Sequence, residues 1–131
     1  MNTPFYGYKK IVSYPFEKAL EKTIEELKKE GFGILTTIDL QAKMKEKLNK
    51  DMERYVILGA CNPPLAFEAI EAEKEIGLLL PCNVIVYETS GKVHVSAVIP
   101  SVAMGFIQNQ KLASVAAQVE PKLKAVIDRL L

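Results

Sequence analysis

The chain lacks an excess of either charge: 17 Lys and Arg stand against 16 Asp and Glu, a net +1. Lysines and glutamates interleave rather than segregate, so no basic face is laid out for nucleic acid. Long apolar runs are missing too. The longest, "IGLLLPCNVIVY", is interrupted by Gly77, Pro81 and Asn83 and falls short of the ~18 apolar residues of a membrane span. The N-terminal stretch "MNTPFYGYKKIVSYP" has neither a continuous apolar segment nor a small-residue cleavage site, so no signal peptide is expected and the cytoplasm is. Histidine and cysteine are scarce: one and two residues. Two thiols do not complete a tetrahedral zinc site, and their spacing is not Cys-x-x-Cys. A reducing compartment argues against a Cys61–Cys82 disulfide. "GFG" (31–33) is followed by no Lys-Ser/Thr, so it is a helix stop and not a phosphate loop.

What is present fits one domain over residues 1–131. "YGYKKIVSY" (6–14) is aromatic and β-branched and predicts a strand. After Pro15, the residues Phe16, Ala19, Leu20, Ile24 and Leu27 step by three and four, one face of a helix that Gly31 would close. "FGILTTI" (32–38) reads as a second strand. Asp39 is placed to cap a short helix with an apolar ridge of Leu40, Met44 and Leu48. "RYVILGA" (54–60) is a third strand, apolar enough to suggest cover on both faces.

Asn62-Pro63-Pro64 is a strong helix start, with asparagine as N-cap and prolines where no N–H is needed; that helix is expected to run to about Ile76 and stop at Gly77. "LLLPCNVIVYE", "TSGK" and "VHVSAVI" form a strand, a turn and a strand, a hairpin. "PSVAMGFIQN" reads as a loop or short helix. A last helix starts near Asn109, carries a stripe from Leu112 to Leu130, and is expected to bend or divide at Pro121. The order β-α-β-α-β-α-β-β-α implies an α+β fold with a mixed or mainly antiparallel sheet.

Both cysteines precede asparagine: Cys61-Asn62 and Cys82-Asn83. Cys61 falls just outside the helix start, where a helix N-terminus can lower a thiol's pKa; Cys82 falls at the mouth of the fourth strand. If the third and fourth strands are neighbours, the two thiols meet at one edge of the sheet. His94 pairs near Val86 or Tyr87 in the hairpin, more than ~13 Å from Cys82 at the strand rise, and its alternation with Val93 and Val95 points it at solvent or a groove. Glu68, Glu71 and Glu75 share a helix face that reads as solvated.

"YVILGACNPPLAFEAIEAEKEIGLLLPCNVIVYE", preceded by "GFGILTTIDLQAKMKEKL", resembles the signature of the family catalogued as domain of unknown function 302. The match spans roughly residues 8–100 and includes Gly59, Ala60, Cys61, Asn62, Pro63, Glu73, Gly77, Leu78, Leu79, Pro81, Cys82 and Asn83. The resemblance implies a curved, mainly antiparallel sheet backed by helices, like the TATA-box-binding-protein fold class, and dimers in some members. It implies no activity. In "VIPSVAMG" Ile99 fills a slot that is often acidic in the family.

Three readings remain open. In the first, a homodimer binds a soft metal ion or a sulfur-containing small molecule at Cys61, Asn62, Cys82 and Asn83, the thiols being the candidate metal ligands and the asparagines orienting the site. In the second, Cys61 is the nucleophile of a cysteine-dependent enzyme. In the third, the Cys-Asn pairs are structural elements of a dimeric scaffold.

Overall fold

The structure, a computed structural model, describes residues 4–131. Five strands, β1 (Gly7–Val12), β2 (Gly33–Asp39), β3 (Tyr55–Cys61), β4 (Cys82–Thr89) and β5 (Lys92–Val98), form one sheet in the order β1-β5-β4-β3-β2. Every neighbouring pair is antiparallel. The β4–β5 hairpin turns through Ser90 and Gly91, both at positive φ (51° and 75°), the handedness that a two-residue turn requires.

Helices α1 (Phe16–Lys29) and α5 (Gln110–Arg129) cover one face. Val56, Leu58, Val84, Val86, Val93 and Val95 point into that face and are buried against them. α1 contributes Phe16, Ala19 and Leu27, and buried Thr23 donates its hydroxyl to the Ala19 carbonyl at 2.7 Å. α5 buries Leu112, Val115, Ala116, Val119, Leu123, Val126 and Ile127, the expected stripe. Tyr8 donates to Asp128 Oδ1 at 2.7 Å and Lys10 to the Leu130 carbonyl at 2.6 Å, tying β1 to the end of α5, where the helix dipole favours a cation.

Two local expectations, for β3 and α3, are corrected, and two other elements are defined further. β3 alternates instead of being covered twice: Val56, Leu58 and Ala60 are buried, while Tyr55 and Ile57 face outward and are half-buried. The short helix α2 (Leu40–Leu48) is capped by Asp39, which accepts from the Ala42 N–H at 3.0 Å, but it buries no residue, and Leu48 is 61% exposed. The helix packs against β3, with Leu40 and Met44 of its ridge half-buried. Helix α3 (Pro63–Ala72) stops short of Gly77, because Glu73 turns extended and a separate 3-10 helix follows over Lys74–Leu79. Asn109 fixes that break: its Nδ2 donates to the Ala72 carbonyl at 2.7 Å and to Glu73 Oε1 at 3.0 Å. Finally, α5 runs undivided through Pro121. Proline and Ala117, whose carbonyl loses its i+4 partner there, are both exposed, so water can satisfy that carbonyl. A short helix α4 (Pro100–Ala103) fills the segment read as a loop or short helix.

Candidate functional site

The end of the sheet where β3 stops and β4 begins is flanked by α3, the 3-10 helix, α4 and α5. The register pairs Ala60 with Cys82, so Cys61 stands one residue beyond that pair. Pro81, joined to Leu80 by a cis peptide, leads into β4. Gly59 accommodates it: a Cβ there would collide with Thr36 Oγ1 and stand 2.8 Å from Pro81 Cγ.

Between these elements lies a cavity of about 270 Å³. Its walls come from elements far apart in sequence: Phe32 and Leu35 before and within β2, Leu65 and Ala69 on α3, Met104 after α4, and Val119 on α5. Only three of the lining residues carry a polar side chain, Cys61, Asn62 and Cys82, and none is charged. By size the space is about twice a cavity known to take benzene.

Both cysteines are free thiols and both line the cavity, as the shared-edge expectation requires. Neither is activated. Burial raises the Cys61 thiol above its ordinary value, and burial, then the neighbouring Cys61, pushes Cys82 up to about 11. The start of α3 explains why Cys61 gains nothing from the helix terminus. Pro63 and Pro64 have no N–H. The Leu65 N–H is taken by Asn62 Oδ1 at 3.5 Å and the Ala66 N–H by the Asn62 carbonyl at 2.8 Å. No first-turn donor remains to hold a thiolate or another anion.

The asparagines are placed differently. Asn62 lines the cavity, but both ends of its side chain are engaged, since Nδ2 also donates to the Glu30 carbonyl at 3.3 Å. It ties the start of α3 to the end of α1. Asn83 is exposed, opposite Gly59 on the outer face of the sheet, and does not line the cavity. The thiols are therefore the unengaged polar groups of the space. Among the described residues no group of three His, Cys, Asp or Glu side chains is placed to hold a metal ion.

His94 pairs with Tyr87, near the far end of β4 from Cys82, as the hairpin spacing implies. Its expected exposure is corrected: it is 1% exposed, with its ring stacked on Tyr87 at 4.8 Å. Glu68, Glu71 and Glu75 are exposed, as read. Sequence reasoning missed Phe32, Leu35, Met104 and Val119 as cavity residues. Each carries the same apolar signal as a core residue, and only the fold reveals that the core is left open between them.

The sequence profile described as "Domain of unknown function DUF302" matches residues 8–130. The chain belongs to this family. It is similar to the crystal structure of an uncharacterized conserved protein DUF302 from Bacillus stearothermophilus, at 30% sequence identity and a TM-score of 0.91, covering 98% of this chain and 100% of that one. The likeness extends over the whole α+β architecture, with its open five-stranded antiparallel sheet. No curated protein matches the chain. Among the described residues no helix is long and apolar enough to cross a membrane.

Proposed function

We propose that this DUF302 protein binds a small, neutral, apolar molecule in the cavity at the β3–β4 edge, with the Cys61 and Cys82 thiols as its polar contacts. The observation that carries the reading is the lining: about 270 Å³ of space with no charged side chain and an asparagine already engaged. Such a space penalises any ion that enters it, because a buried charge without a partner costs several kcal/mol in practice. Protonated sulfur is soft and polarizable, so sulfur-containing neutral molecules suit it as well as hydrocarbons do.

The same chemistry ranks the other readings. Among the described residues of one chain a soft metal ion would find two thiols and no third His, Cys, Asp or Glu, and it would first have to displace protons from groups whose pKa is raised. A nucleophilic Cys61 would need a lowered pKa and a base, and it has a raised one. A homodimer in a reducing cytoplasm is part of the proposal. It is supported by large exposed apolar residues beside the cavity lining, Leu78 (81%) and Phe106 (75%), which a second copy would cover.

Anaerobic native mass spectrometry of freshly purified protein tests these together. The expected spectrum is a dimer with a small organic adduct that Ala66→Phe, which fills the cavity from a half-buried position, does not carry. An adduct retained in Ala66→Phe contradicts the binding site. A metal mass lost in Cys61→Ser would favour the metal reading, and a monomer at micromolar concentration would remove the dimer.

A further inference from the structure

The outer face of the sheet holds a second cluster of ionisable groups that the cavity does not involve. Tyr55, Tyr87 and His94 stand in one row across β3, β4 and β5. Tyr55 and Tyr87 stack at 5.4 Å and Tyr87 and His94 at 4.8 Å, with ring planes within 18° and 8°. Lys9 on β1 brings its Nζ to 3.4 Å from Tyr87 Oη. β5 lies between β1 and β4, so the lysine side chain crosses β5, the strand of His94 and Ser96.

His94 is the anomaly of this cluster. It is 1% exposed, yet neither ring nitrogen has a hydrogen-bond partner among the described residues. A buried donor and acceptor left unpaired carry a desolvation cost without return, so the ring is poised for a partner from outside the chain. Its surroundings define the sign of that partner. The charged groups that act on it are both cations, Lys9 on β1 and Lys92 on β5; on β4 and β3 the ring row offers only phenols. Because Tyr87 Oη accepts from Lys9, its own O–H remains a donor. An ammonium and a phenol lie together, with the imidazole stacked against the phenol ring, and hydrogen bonds to charged oxygens are about twice as strong as those between neutral groups.

We propose that this row is an oxyanion site, taking a carboxylate or phosphate group between Lys9 Nζ, Tyr87 Oη and the His94 ring. The lysine side chain acts as the roof: as its ammonium turns onto the anion it uncovers the ring edge, which then donates. The site is independent of the cavity and stands on the opposite face of the sheet.

The chain's one histidine makes the test direct. The ring-proton resonances of His94 are followed by NMR while inorganic phosphate or acetate is titrated in at constant ionic strength, and the titration is repeated across pH. The expected result is a saturable shift with at least one anion and a His94 pKa higher in its presence. Whichever anion saturates tells phosphate from carboxylate recognition. Lys9→Gln is expected to weaken binding by about tenfold or more, and Tyr87→Phe, which keeps the ring stack, by less. Ala66→Phe leaves the shift unchanged. A linear drift equal to that in chloride, or saturation unaffected by Lys9→Gln, overturns the site.

Discussion

A covered histidine beside cations, with no hydrogen-bond partner among the described residues, resists protonation, and His94 is in that position. Burial, then Lys9 and Lys92, lower its pKa below the ordinary 6.5. The unfolded chain therefore takes up a proton near 6.5 that the folded chain refuses until lower pH. Between those values the unfolded state binds more protons, so stability rises with pH there and is lost as pH falls. Urea midpoints should drop between pH 7.5 and 5.5, above the range in which Glu26 and Glu120, both with lowered pKa values, contribute. In His94→Leu that drop should shrink, and an unchanged drop would contradict the assignment. The burial of His94 was not legible in the sequence. Its alternation with Val93 and Val95 correctly assigned it to the outer face, but outer residues of a central strand are shielded by their neighbours, and the pattern carries no measure of that. Cys61 is the converse case. Its place outside a helix start was legible, but burial raises its thiol pKa, and the two prolines that announce the helix also remove its first donors.

At the scale of elements, boundaries were read best where a cap or a special dihedral sets them. Asp39, Asn62 and Asn109 each cap the helix assigned to them, and Gly31 closes α1 at φ 86°. Gly77 misled the assignment of α3, since that helix is ended from outside, by a side chain 37 residues from Ala72. Asn109 also caps its own helix, accepting from the Leu112 N–H at 3.1 Å. Asn109→Ala should thus remove a cap and leave the Ala72 carbonyl unpaired, a loss of about 1–3 kcal/mol in chemical denaturation. A variant as stable as the wild type would mean that water replaces the amide at no cost. The ridge of α2 marks the limit of such a reading: helical periodicity states that a helix has an apolar side, not how deeply that side is buried.

At the scale of the molecule, the antiparallel α+β architecture was legible from the order of elements and the hairpin, whereas the strand order was not. The order β1-β5-β4-β3-β2 sets β3 beside β4 and so brings the two Cys-Asn dipeptides to one edge. Their shared place follows from register, and their different roles follow from parity: Cys82 faces the helices with Val84, while Asn83 faces outward. The cavity is a property of the whole fold. It exists because small residues, Ala60, Ala66, Ala69 and Ala116, line the junction of sheet and helices.

The most direct measurement is the thermal unfolding of wild type and Ala66→Phe at pH 7.5 against matched neutral and ionised compounds, such as 1-octanol and octylammonium, a cation that an oxyanion site does not take. A ligand at 100 times its Kd adds about 2.7 kcal/mol to the native state. The expected result is a saturable rise in Tm with the neutral member, little with the ionised one, and none in Ala66→Phe. Equal rises with both members, or a rise that survives in Ala66→Phe, would contradict an uncharged apolar ligand site at the paired thiols.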